Sequence, residues 1–302
     1  MAASPDHAEN TDSAESADTG ETAENTASES PAMENVARGE GGDLRGVLLQ
    51  VAYRGAPFSG FAIQKEARTV EGELRGAIAA LDPKASTTRG VSRTDAGVHA
   101  ESQQVAFDTR VPIPARGWVL ALNKHLPEEI SVRRARSVEA GFNPRFASLW
   151  KRYRYRILLD KVRDPAHADR TWRVGWDVAL DRARAECETV LGTHDFAAFR
   201  SAGDERENTV RDIRSLQIET DAHDPRLVSV AIEGSAFMYN MVRIVVGTLI
   251  DVARGHLPPG AFARALASKD RRDLGQTAPP EGLCLEHVEL TLPEGAGEPW
   301  PG

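Results

Sequence analysis

The stretch Lys151-Arg-Tyr-Arg-Tyr-Arg-Ile-Leu-Leu159 reads as a β-strand. At a period of two, Tyr153, Tyr155, Ile157 and Leu159 share one face, and Arg152, Arg154, Arg156 and Leu158 share the other. An aromatic face backed by an arginine face fits a sheet that stacks a base and holds phosphates. It fits equally a tyrosine row facing a core, with solvated arginines behind it. Around this strand, between Arg133 and Arg156, eight Lys or Arg stand against one acid, Glu139. So concentrated a positive surface favours a nucleic acid over a neutral metabolite, with Lys151, Arg152 and Arg154 as candidate RNA contacts.

Working outward, strands and helices are interspersed. Arg45–Tyr53 is a mostly apolar strand closed by the turn signal Arg54-Gly-Ala-Pro57. Thr69 then precedes Val70, Leu74, Ala77, Ile78 and Leu81 at helical spacing, with Glu71 and Glu73 well placed in the first turn and Asp82-Pro83 ending the run. Gln103–Thr109 and Ser131–Val138 read as strands. In the second half, Asp181–Leu191 reads as a helix, Leu227–Glu233 as a strand, Phe237–Ala253 as an apolar helix, Gly260–Ser268 as a short helix and Leu283–Leu292 as a last strand. Strands are joined by loops as often as by helices, and no Gly-rich strand-to-helix fingerprint occurs. The pattern therefore predicts an α+β fold with largely antiparallel sheets flanked by helices rather than a doubly wound one. Two α+β subdomains are expected, over 45–146 and 147–292, with the catalytic cleft between them and a short tail at 293–302.

The 302 residues carry a formal net charge of -8, but that average misleads. Residues 1–45 hold 11 acidic and two basic residues, leaving 34 acidic against 35 basic in the remainder. The acidity belongs to the N-terminal tail, so a polyanionic partner for the rest is compatible with the charge. Residues 1–44 contain almost no large apolar side chains and are expected to be disordered. Two cysteines, Cys187 and Cys284, supply neither a four-ligand zinc site nor a disulfide scaffold. No apolar run is long enough for a bilayer, and no basic region precedes an apolar stretch at the N-terminus, so a cytoplasmic location is expected. The histidines follow no ligand spacing, and no glycine loop for phosphates occurs, so neither a metal nor a nucleotide cofactor is expected. His194-Asp195, just after Gly192, reads as a turn that starts a helix.

Two further stretches carry chemistry. In Gly90-Val-Ser-Arg-Thr-Asp-Ala-Gly-Val-His-Ala100, Asp95 could simply bond its own downstream amides in a tight turn. The density of polar residues between apolar segments instead fits a loop facing a groove, with Asp95 as a functional carboxylate. In Ser235-Ala-Phe-Met-Tyr-Asn-Met-Val-Arg-Ile-Val-Val-Gly-Thr-Leu249, Arg243 sits among Met241, Val242, Ile244 and Val245. It either snorkels to water or forms a buried ion pair, for which Asp95 is the attractive partner. Gly247 would then permit close approach of a neighbouring backbone.

Ser92-Arg-Thr-Asp-Ala-Gly-Val-His99 resembles the catalytic signature of the tRNA pseudouridine synthase A family, which modifies uridines at tRNA positions 38 to 40. The resemblance extends over nearly everything after the tail, through Tyr53–Gln64, Thr69–Leu74, Asn123–Pro127, Phe142–Phe146, Lys151–Tyr155, Gly192–Phe196, Met241–Gly247 and Thr277–Leu283. It implies Asp95 as the catalytic aspartate, Tyr153 as the ring stacked on the target uracil, Arg243 as the basic partner of Asp95, and Arg93 as the residue that helps displace the base. It also implies a homodimer that binds the anticodon arm of tRNA across both subunits and needs no metal or organic cofactor. The chain departs from the family pattern at Phe61-Ala62-Ile63-Gln64, where Gly-Trp-Gln is common, at Tyr239-Asn240, where paired histidines are frequent, and at Ser92, where a glycine is usual.

Overall fold

A computed structural model describes residues 43–85, 87–201, 203 and 206–301. The expected disordered tail lies, but for residues 43 and 44, outside the described residues. Among these residues ten strands form one sheet: β1 (Arg45–Tyr53), β2 (Thr88–Gly90), β3 (His99–Thr109), β4 (Ile130–Val138), β5 (Ser148–Leu159), β6 (Trp172–Val174), β7 (Gly192–Asp195), β8 (Val210–Thr220), β9 (Leu227–Gly234) and β10 (Leu283–Leu290). Among the described residues six α-helices accompany them: α1 (Val70–Leu81), α2 (Ala115–His125), α3 (Pro144–Ala147), α4 (Leu180–Cys187), α5 (Met241–Ala253) and α6 (Ala261–Ser268). The strand order is β4-β1-β3-β10-β5-β9-β8-β7, with β2 beside β3 and β6 beside β5. All pairs are antiparallel except β10 with β3 and β5 with β6. The chain is α+β, as its interspersed elements imply.

The last strand is the joint. β10 inserts between β3 and β5, matching Cys284 to His99 and Leu285 to both Ala100 and Tyr153. The strands before and after residue 146 are thereby hydrogen-bonded into one surface. The main core lies on the side bearing Val47, Leu49, Val51, Tyr155 and Ile157, packed against α1, α2 and α5. A small cluster of Leu48, Ala106, Val138 and Phe142 marks the other side.

Local chemistry accounts for most elements. Thr69 Oγ1 accepts from the Gly72 amide at 3.2 Å and caps α1, whose Val70, Leu74, Ala77 and Ile78 are buried. Twelve of the 13 residues of α5 are buried, Arg243 being the exception, so this helix is apolar nearly all round and central to the core. It begins at Met241 rather than at the expected Phe237, because Asn240 adopts φ +61° and breaks the helical path. An alanine at Gly247 would put its Cβ 1.9 Å from the Gln276 carbonyl oxygen, so the close approach expected there is made by the chain at 275–278. His194-Asp195 lies in β7, paired with β8, and not in a turn that starts a helix.

Candidate active site

Three separate elements converge on one cavity of about 940 Å³: the loop between β2 and β3 carrying Asp95, the start of β5 carrying Lys151 and Tyr153, and the first turn of α5 carrying Arg243. Arg93 also lines it and is exposed.

The Asp95 loop is fixed from several directions. Gln103, fully buried on β3, donates from Nε2 to the Ser92 carbonyl at 2.7 Å and accepts from the Ser92 amide at 3.2 Å. The Tyr53 hydroxyl and Thr94 Oγ1 are 2.7 Å apart, and the Phe61 amide donates to the Thr94 carbonyl at 3.0 Å. Gly60 passes so close that a Cβ there would lie 2.9 Å from the Thr94 carbonyl oxygen. The turn closes through the Val98 amide, which donates to the main-chain oxygen of Asp95 at 3.1 Å, with Gly97 at φ +80°. Asp95 thus uses its backbone for the turn, and its carboxylate faces Arg243: Oδ2 and Nη1 are 3.5 Å apart.

Arg243 does not snorkel. Its side chain is 16% exposed, Nε donates to the Ala278 carbonyl at 2.7 Å, and Nη1 donates to Asn240 Oδ1 at 2.7 Å. Both partners are themselves held. Asn240 Nδ2 donates to Ser201 Oγ at 2.8 Å. The segment before Ala278 is tied to α5 by the Gly275 amide on Thr248 Oγ1 at 3.0 Å and the Gln276 amide on the buried Asp251 Oδ2 at 3.0 Å. A guanidinium buried this far would be costly unpaired, and every contact here directs it toward Asp95. Burial pushes the Asp95 carboxyl above its ordinary value, and the charge of Arg243 and its hydrogen bond pull the other way. The pair is therefore a partly desolvated carboxylate kept ionisable by one guanidinium.

Tyr153 is buried, opposite Leu285 on β10 and Ile232 on β9, with the Phe237 ring edge-on at 5.2 Å. Burial raises its phenol to about 12, against a lowering hydrogen bond with the Ser92 side chain, so it stays protonated at neutral pH. Lys151, two residues earlier on the same face, also lines the cavity.

Arg152 and Arg154 are placed elsewhere. They point to the opposite side of the sheet, where Arg152 pairs with Glu233 and Arg154 Nε meets Glu286 Oε1 at 2.6 Å. Arg156 follows with Glu101 at 3.4 Å. Arg152 and Arg154, expected as RNA contacts, thus lie on the face of β5 away from the cleft, as strand alternation implies, and neighbouring strands supply carboxylates to them. The sequence reading also left out Asn240 as the residue that orients Arg243, Gln103 as the clamp on the loop, and Arg145, Arg206 and Phe237 as cleft residues. Asn240 was visible only as a departure from the family pattern. Gln103 lay within an expected strand without any sign of its cross-loop bonds.

Among the described residues no helix is long and apolar enough to cross a membrane, and no three His, Cys, Asp or Glu side chains are grouped to hold a metal ion.

The family model described as tRNA pseudouridine synthase matches residues 187–290. A tRNA pseudouridine synthase A of Geobacter sp. (strain M21) is 38% identical over 246 residues, covering 81% of this chain and 98% of that one. The protein of the same name from Citrifermentans bemidjiense is 39% identical over 246 residues (81% and 97%), and that of Geobacter sulfurreducens 38% over 247 residues (82% and 100%). With sequence similarity of this extent running through all three elements of the cleft, the chain belongs to the tRNA pseudouridine synthase A family.

Proposed function

We propose that the protein, by family an isomerase of tRNA uridine, acts on uridines at positions 38 to 40 of the anticodon arm, with Asp95 as its catalytic carboxylate. The observation that carries this reading is the Asp95–Arg243 pair, 3.5 Å apart in a cleft that also presents Tyr153.

The isomerisation breaks the N1–C1′ bond of uridine, turns the uracil and joins C5 to C1′. The hydrogen of C5 is released to solvent and N1 gains one, so no atom is added or lost. A uridine within a stem must first leave the stack, which costs a few kcal/mol, roughly, before any chemistry. Arg93, exposed and two residues from Asp95, is suited to occupy the space that the base vacates. Stacking of the extruded uracil on Tyr153 contributes on the order of 1–3 kcal/mol. Asp95 acts ionised, next to the glycosidic bond, and Arg243 fixes its orientation and favours its charge. The working unit in this proposal is a cytoplasmic homodimer, with the anticodon arm contacting both subunits.

The test is conversion of unmodified tRNA transcripts bearing uridine at 38, 39 or 40, followed by tritium release from C5-labelled uridine and by mapping of the product. Release confined to those positions is expected. Tight binding without release would make the protein a non-catalytic RNA binder, and conversion elsewhere in the tRNA would remove the anticodon arm as its target.

A further inference from the structure

The cleft carries more positive charge than the Asp95–Arg243 pair uses. Among the described residues lining it Asp95 is the sole carboxylate, whereas Arg93, Arg145 and Lys151 line it in addition to Arg243. Two of these cations come from different places: Arg145 from α3 and Lys151 from β5. Lys151 is the most constrained. It is largely buried, and the hydrogen bond given for its Nζ is a long one, 3.4 Å to the Val91 carbonyl. Burial, together with the charges of Arg145 and Arg206, brings its pKa down to about 8. A lysine held among arginines away from water is unfavourable by itself, and a bound anion would offset those repulsions with attractions of its own.

A second observation points the same way. Ser148 lines the same cavity, and its Oγ is buried with no hydrogen-bond partner. A buried hydroxyl without a partner is uncommon and calls for an explanation in terms of what the site binds. A hydroxyl, an ammonium and a guanidinium around one space are the donors that a tetrahedral anion accepts from.

We propose that Ser148, Lys151 and Arg145 form a subsite for one phosphodiester of the substrate RNA, the linkage flanking the target nucleotide. Lys151 lies on the same face of β5 as Tyr153 and two residues away, about 7 Å along the strand. That spacing sets the subsite beside the ring on which the uracil is placed, so the inference rests on the function proposed above. A phosphate contact of this kind carries no base information; it sets the register of the RNA in the cleft.

The test couples protein and RNA changes. Substrate tRNAs are assembled with a single uncharged methylphosphonate at each linkage near the target uridine in turn, and kcat/KM is measured for wild type, Lys151→Met and Ser148→Ala. With all-phosphate tRNA, Lys151→Met is expected to raise KM about ten-fold and to change kcat less than about two-fold, the mark of a lost binding contact. At one linkage the methylphosphonate is expected to cost wild type about ten-fold and Lys151→Met less than about two-fold, because the same contact cannot be removed twice. Ser148→Ala, which keeps the backbone and the volume of the site, should show the same coupling at the same linkage. Multiplicative losses at every linkage in both variants, with wild type active, would overturn the subsite alone. Failure of wild type to convert the all-phosphate tRNA would instead remove the RNA reading, and the subsite with it.

Discussion

The two faces of β5 carry the same kinds of residue and do opposite work. On one face Lys151 and Tyr153 border the cleft and Tyr155 is buried, its hydroxyl donating to the Pro279 carbonyl at 2.7 Å. On the other, Arg152, Arg154 and Arg156 are matched by Glu233, Glu286 and Glu101 from β9, β10 and β3. The run of arginines that advertises nucleic acid in the sequence is thus largely neutralised across the sheet. Other positive residues line the cleft itself, among them Arg93, Arg145 and Lys151. Positive residues count toward RNA binding according to what faces them.

On the cleft side, Asp95→Asn should retain tRNA affinity within a few-fold and lose about 10³-fold or more in turnover, measured by tritium release. Normal turnover in that variant would remove Asp95 from the chemistry. Asn240→Gly keeps the φ of +61° without strain and deletes the 2.7 Å contact to Arg243. Loss of one hydrogen bond to a charged group is worth about 1.5–3 kcal/mol, so kcat should fall about ten-fold or more with KM little changed. A fall in thermal stability alone, with kcat intact, would make Asn240 merely structural. Gly247→Ala forces a Cβ against the Gln276 carbonyl. It should destabilise the fold by about 2–3 kcal/mol, read in a thermal melt. On the opposite face, Arg154→Met should change stability by about 1 kcal/mol or less, since the pair is partly solvated, and leave the Kd for tRNA within about two-fold. A ten-fold loss of affinity there would return the arginine face to the RNA interface.

Much of this arrangement was legible in the sequence, for physical reasons that can be named. β9 alternates at a period of two, and α1 carries its buried residues at helical spacing behind a threonine cap. β8 escaped because the register shifts between Ile213 and Ser215, so its buried residues, Ile213 and Leu216, fall three apart rather than two. Without β8 as a partner, β7 looked like a turn. α2 escaped because Pro114 gives it no side-chain cap and Gly117 interrupts its first turns, although Trp118, Val119 and Leu122 are buried at helical spacing. The pairing of Asp95 with Arg243 could be anticipated from each residue's awkward surroundings, a polar loop and an apolar helix. The orientation of that pair could not be, since it depends on Asn240 in a left-handed conformation and on a carbonyl from 35 residues downstream of Arg243. Contacts fixed by tertiary approach leave no local pattern to read.

In the proposed reaction Asp95 acts ionised and held by Arg243, and the single-turnover rate of pseudouridine formation as a function of pH is the sharpest probe of that pair. Because burial raises the Asp95 carboxyl above its ordinary 3.8, the rate should fall as pH drops through a value above 3.8. Arg243 opposes that rise, so in Arg243→Met the same acid limb should move to still higher pH, with a lower plateau. An acid limb that stays in place in Arg243→Met, or lies at the ordinary carboxylate value in both proteins, would contradict the pairing as the source of catalysis.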